Sequence, residues 1–241
     1  TGKGAVSLEC HTDMPPMITS FGSNNRERIA TAKRLPKAGE TVTGGSFATA
    51  AGGKGANQAL AAKRAGATVK MAGAAGDDTF AAPALTLLRD AGTDLSLVKT
   101  APGPTGTAMI LIGEGGENMI SVIPAANGEV SASDAAKVVA EMSAGDILML
   151  QFEIPAPAIE AALTAAKATR VTTVTNTAPL TADGPRPAGP AATVIANATE
   201  SELLIGKNGL SGSARGNEPK ALLEKTGQTL IVTLGADGVI A

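Results

Sequence analysis

From Gly55 to Ala241, short apolar runs of strand length alternate with longer runs of helix length. Strands read at Met17–Phe21, Thr68–Gly73, Asp146–Gln151, Val171–Thr175, Thr193–Ile195 and Thr229–Thr233. Helical patterns fall at 55–66, from the Gly76-Asp77-Asp78-Thr79 cap to about Ala91, and at 132–143, 156–168 and 199–206. Strands spaced by helices predict a mostly parallel α/β sheet covered on both faces. In such sheets ligands bind beyond the carboxyl ends of the strands, and polar residues recur there: Asn25, Glu153, Asn176, Asn197 and Thr233.

Two segments break the alternation. Residues 28–50 carry β-like pieces interrupted by Leu35-Pro36-Lys37-Ala38-Gly39-Glu40 and Gly44-Gly45. Residues 105–125 read as a hairpin, Thr107–Ile112 and Asn118–Ile123 around Gly113–Glu117. Both are expected to form a small β flap inserted in one domain over 17–241. A leader precedes it at 1–16, and 181–190 is a Pro/Gly-rich surface connection.

Composition narrows the function. Of 241 residues 44% are apolar, but only four are Phe and none is Trp or Tyr, so Ala, Val, Ile, Leu and Met must build the core. With so few rings for base stacking, and at a net charge of −2, the chain offers no nucleic-acid platform. No run of about 18 apolar residues stands anywhere, and the first residues lack a signal-peptide centre. Cys10 and His11 are the only residues of their types, which excludes an internal disulfide and a zinc cluster. A Ser-His-Asp triad would need His11, in the leader. The expectation is a soluble cytoplasmic protein.

The chemistry-bearing stretch is Gly52-Gly53-Lys54-Gly55-Ala56-Asn57-Gln58 at the start of a helical run. Glycines let backbone approach a ligand, and the helix start offers unpaired N–H groups. Lys54 adds a charge with three donors, and Asn57 a donor and an acceptor. The loop suits a small polar molecule; the plain alternative is a glycine-rich helix start with a solvated lysine. A nucleotide P-loop is excluded, because Ala48 stands where its first glycine belongs and Gly55 where its hydroxyl belongs. Asn197-Ala198-Thr199-Glu200 has the spacing of a capping box and equally of an amide and carboxylate serving phosphate and magnesium. Thr233-Leu234-Gly235-Ala236-Asp237-Gly238 follows a strand and offers backbone to phosphates or a nucleotide groove.

In order, these pieces resemble the ribokinase-like, PfkB-type family of sugar kinases. The resemblance rests on Leu35–Val42 followed by Gly52–Gln58, then Gly76-Asp77-Asp78, Gly115-Gly116-Glu117-Asn118, Gln151-Phe152-Glu153, Asn197–Glu200 and Thr233-Leu234-Gly235. It implies a Rossmann-like sheet with a β lid that closes over the sugar and pairs two subunits. It implies ATP and Mg2+, with a monovalent cation such as K+, and transfer of the γ-phosphoryl to a primary hydroxyl of a pentose or related sugar. By match, Asn25, Glu27, Gly53, Lys54, Asn57 and Glu153 bind the sugar. Asn197, Thr233, Gly235, Asp237 and Gly238 serve the nucleotide, and Glu200 the metal.

Two departures stand out. The family usually carries Asp where this chain has Glu27, which leaves the sugar open. Its catalytic aspartate lies in a Gly-Ala-Gly-Asp segment that these 241 residues do not contain, so the base is expected beyond Ala241. The alternative is a non-catalytic sugar-binding or regulatory protein without that base. A Rossmann oxidoreductase is poorly supported, since Gly22-Ser23-Asn24-Asn25 stands where Gly-x-Gly-x-x-Gly belongs.

Overall fold

The computed structural model describes residues 15–180, 191–206 and 227–241. Cys10, His11 and most of the leader, together with the 181–190 connection, lie outside them.

Eight strands form the main sheet: β1 (Ile18–Phe21), β4 (Val69–Gly76), β5 (Asp94–Ala101), β8 (Ile147–Gln151), β9 (Thr172–Asn176), β10 (Thr193–Asn197), β11 (Thr229–Thr233) and β12 (Val239–Ile240). Their order is β12-β11-β10-β9-β8-β1-β4-β5, parallel except for β12 against β11. The described helices are α1 (Lys54–Arg64), α2 (Ala81–Ala84), α3 (Thr86–Asp90), α4 (Ala132–Ala140), α5 (Ala156–Thr169) and α6 (Ala198–Ile205).

Period-two alternation splits the core between the two faces of the sheet. Met71 packs with Ala56, Ala59 and Leu60 of α1 and with Leu88 of α3. Ala72, Phe21, Leu148 and Leu150 pack instead with Val138 of α4 and Ile159 and Leu163 of α5. Each fully buried Leu or Ile contributes about 1.5–3 kcal/mol. The sheet is therefore anchored on both sides without a tryptophan or tyrosine.

The remaining strands make a second sheet, in the order β3-β2-β6-β7, from β2 (Asn25–Ala32), β3 (Gly44–Gly52), β6 (Thr107–Gly113) and β7 (Asn118–Ile123). The chain passes between the sheets four times, at residues 22–24, 53, 102–106 and 124–131. Asp77 and Asp78 brace the third crossing. Gly103 N–H donates to Asp77 Oδ1 at 2.9 Å, and Thr105 Oγ1 donates to Asp78 Oδ1 at 2.6 Å. Arg28 of β2 adds a cation–π contact, with its guanidinium 4.5 Å from the centre of the Phe80 ring.

The structure departs from the sequence expectations in two places. The helix expected up to Ala91 is two short pieces: Thr86 Oγ1 donates back to the Ala82 carbonyl at 3.0 Å, and the ladder breaks at Leu85. Strand β5 was not expected. Its signal was the alternation of Leu95 and Leu97 with Asp94 and Ser96.

Candidate active site

The strand order places a crevice beside β1. Its successors β4 and β5 lie on one side, while β8 and the later strands lie on the other. Open α/β sheets present their ligand site where the order reverses, outside the carboxyl ends of the strands. Three segments meet there: the turn after β1, the start of α1, and Phe152-Glu153 after β8.

The first two touch backbone to backbone. Gly53 has φ +94°, which disfavours any side chain, and a Cβ there would lie 2.8 Å from Asn24 Cα. A Cβ on Gly55 would lie 2.7 Å from Ser23 N. With neither present, Ala56 N–H donates to the Ser23 carbonyl at 2.9 Å. Ser20 Oγ donates to the Gly55 carbonyl, also at 2.9 Å.

Glu153 locks this junction to β8. Its Oε2 accepts from Ser23 Oγ at 2.5 Å and from Lys54 N–H at 3.0 Å, so it satisfies an orphan donor of the first turn of α1. Its Oε1 stands 3.9 Å from Lys54 Nζ. The Glu153 side chain is 8% exposed and that of Lys54 39%, so the carboxylate is buried at the junction while the ammonium beside it keeps access to solvent. Gln151 Nε2, just before it, donates to Gln58 Oε1 at 2.7 Å and ties β8 to the second turn of α1.

Glu27 and Asn25 approach from β2. Glu27 lies over Gly52, where any Cβ would strike its carboxylate. Burial raises its pKa, the neighbouring Glu153 charge raises it further, and the Gly53 N–H and Lys54 pull against both. Asn25 is 2% exposed, and its Oδ1 accepts from Asn127 Nδ2 at 2.8 Å. Asn57 is exposed on the first turn of α1. The structure thus brings Asn25, Glu27, Gly53, Lys54 and Glu153 together, with Asn57 at the rim. Two carboxylates, an ammonium and an amide converging on a crevice suit a ligand rich in hydroxyl groups.

A second cluster lies further along the same edge. Asn197 ends β10 and Thr233 ends β11, in register with each other. Glu200 N–H donates to Asn197 Oδ1 at 2.8 Å, and Asn197 N–H donates to Glu200 Oε2 at 2.9 Å, a complete capping box. Thr177 Oγ1 also lies 3.4 Å from that Oε2. Gly235 and Asp237 form a single 3-10 turn, and Gly238 closes it with its carbonyl accepting from Leu234 N–H at 2.8 Å. Thr233, Gly235, Asp237 and Gly238 are all exposed. Two strand spacings, about 10 Å, separate β8 from β10.

Sequence reasoning missed Asn127, which sits in the 3-10 turn Ala125–Glu129 with 1% exposure. Ala-Ala-Asn-Gly reads as an ordinary turn, and only the fold brings it beside Asn24 and Asn25. Ser23 was visible in the turn after β1, but its bond to Glu153 spans 130 positions.

The model of the pfkB family of carbohydrate kinases matches residues 15–241. The chain belongs to that family. Mouse (Mus musculus) ribokinase is 32% identical over 226 residues, covering 92% of this chain and 70% of the relative. Haemophilus influenzae ribokinase is 31% identical, covering 94% and 74%. Among solved structures, Giardia lamblia ribokinase superposes with TM-score 0.77 at 29% identity, covering 93% of this chain and 72% of its own. Arabidopsis thaliana ribokinase, solved with ribose and ATP, gives TM-score 0.77 at 27% identity, covering 93% and 73%. This pfkB-family chain is therefore a carbohydrate kinase, a phosphotransferase with an alcohol acceptor.

The burial of Glu27, with the Glu153 charge beside it, gives a stability prediction for this kinase. A carboxylate whose folded pKa is raised destabilises the fold once pH rises through that value, and this cost vanishes at acid pH where it is protonated. Glu27→Gln should raise Tm by on the order of 1 °C at pH 7, a small effect because Glu27 is partly solvated. The gain should shrink on acidification. A thermal melt series from pH 4 to 8 checks it; a variant less stable than wild type at pH 7 would contradict the electrostatic reading.

Proposed function

We propose that this carbohydrate kinase transfers the γ-phosphoryl of ATP to a primary hydroxyl of a pentose or a related sugar. The observation that carries the reading is the Glu153 carboxylate at the strand-order reversal, fixed by Ser23 and the start of α1, with Lys54 and Glu27 beside it. Sugar hydroxyls donate to Glu153 and Glu27 and accept from Lys54, Asn25 and Asn57, while the Gly53 turn lets the ring approach the backbone. The nucleotide lies over the ends of β10 and β11, against Asn197, Thr233, Gly235, Asp237 and Gly238. The separation of about 10 Å between the two strand ends leaves room for a sugar to point its terminal hydroxyl at the γ-phosphate. Phosphoryl transfer asks mainly for this positioning and for neutralised charge.

Magnesium, when bound with the nucleotide, neutralises phosphate charge. Glu200 fits such a role only through water, since its Oε2 is committed to the helix cap and its side chain is buried. Among the described residues no group of three His, Cys, Asp or Glu side chains is placed to hold a metal ion. No described residue is assigned the base or a monovalent-cation site; by family resemblance the base is the Gly-Ala-Gly-Asp aspartate.

We also propose that two copies pair through the smaller sheet, which acts as the lid. Phe47 (65%) and Met119 (53%), with Met109 and Ile123, are exposed together on one of its faces. An apolar surface of this kind is unfavourable in water unless a partner covers it.

Two experiments test these readings. With the complete gene product and a pentose and hexose panel, ADP formation should require both a sugar and magnesium. Lys54→Ala should raise the sugar KM about tenfold or more, the usual cost of a lost charged hydrogen bond. Sugar binding without turnover would favour the non-catalytic alternative, and unchanged KM in Lys54→Ala would remove the site. For the lid, light scattering should give twice the subunit mass for wild type and the single mass for Met119→Glu. A monomeric wild type would refute the pairing.

A further inference from the structure

Asn127 is one of the few side chains buried where the two sheets join, and its amide orientation is fully determined. Asn24 N–H donates to its Oδ1 at 3.1 Å, and a backbone N–H cannot accept, so that atom must be the oxygen. Its Nδ2 then faces two acceptors, the Asn24 carbonyl at 3.1 Å and Asn25 Oδ1 at 2.8 Å. The same contact decides which way Asn25 points. Asn127 offers only a donor in that direction, so Asn25 must turn its oxygen toward Asn127 and its Nδ2 away. The amide is a relay of polarity from the backbone of the first crossing to a residue of the crevice.

The surroundings leave this arrangement no slack. A Cβ on Gly106, in the third crossing, would collide with Asn127 Nδ2 and Asn25 Oδ1, so the chain passes them without a side chain. Arg26 N–H donates to the Gly106 carbonyl at 2.8 Å and holds that crossing in place. Asn24 Nδ2 donates to the Ala74 carbonyl at 2.8 Å, pinning the first crossing to β4. Asn127 itself stands in the fourth crossing, the return from β7. One buried amide thus touches three of the four connections between the main sheet and the lid.

We propose that Asn127 is a positioning residue: it sets the Asn25 amide so that its nitrogen donates to the sugar, and it fixes the lid crossings at the same point. The proposal rests on Asn25 being a sugar ligand. Asn127→Asp keeps the shape and the bond from Asn24 N–H but turns the donor into an acceptor. The carboxylate then faces the Asn24 carbonyl and Asn25 Oδ1, and Asn25 is driven to flip its nitrogen inward. The crevice loses its donor although no residue lining it has changed.

The test is a double-mutant cycle read by calorimetric titration with D-ribose, backed by separate KM values for sugar and ATP. Asn25→Ala and Asn127→Asp should each weaken D-ribose binding about tenfold, and the double variant should fall no further than Asn25→Ala alone. The ATP KM should stay within about twofold of wild type, because the nucleotide end is two strands away. A merely structural Asn127 would shift both substrates together and add to the Asn25 effect, which would overturn the proposal. If Asn127→Asp fails to fold, Asn127→Ala, which removes the donor facing Asn25 Oδ1 and so releases the Asn25 amide, takes its place in the cycle under the same criteria. If Asn25→Ala leaves D-ribose binding unchanged, or wild type does not bind D-ribose, the failure lies with the sugar-site reading instead.

Discussion

The fold depends on one contact, where the turn that opens α1 lies directly on the turn that ends β1. Side chains at Gly53 or Gly55 would hold the two backbones apart, and their absence lets Ala56 N–H reach the Ser23 carbonyl. Because β1 is the strand at which the order reverses, this contact sets the floor of the crevice. It brings the first N–H of α1 within 3.0 Å of Glu153, so a carboxylate from β8 stabilises the helix start. Packing of the sheet and preparation of the site are therefore one event. Glu153 is buried because the junction is tight, and the junction is tight because Glu153 satisfies its donors.

The smaller sheet is built on the same point. Its strands leave and return through four short connections, and glycine or buried asparagine occupies the places where they press together. Such a joint transmits displacement, since close-packed groups without slack move as a body. A ligand that bonds to Asn25 and Glu27 on the lid side and to Lys54 and Glu153 on the main-sheet side bridges both sheets. On the proposed reading, its binding energy would hold the smaller sheet closed and exclude water during transfer.

Much of this was legible in the chain. Alternating apolar runs gave the parallel sheet, and the breaks at 28–50 and 105–125 overlap the strands of the second sheet, whose first pair runs from Asn25 to Gly52. The glycine run at 52–55 marked the close approach, because few other reasons place three glycines around one lysine at a helix start. What escaped were relationships across long sequence separation. Ser23 and Glu153 are 130 positions apart, and Asn127 meets Asn25 across 102. Neither residue carries a local pattern, since a buried polar side chain is specified by its partners and not by its neighbours in sequence. Asn197 and Glu200 show the converse. Their spacing was visible as a capping box, and the structure forms that box.

The most direct measurement is a crystal structure of the complete gene product with the sugar it turns over fastest. The account predicts sugar oxygens within hydrogen-bond distance of Glu153, Lys54 and Asn25, at the reversal of strand order and beneath the smaller sheet. A sugar seated elsewhere, with Glu153 still bound only to Ser23 and the Lys54 N–H, would contradict it.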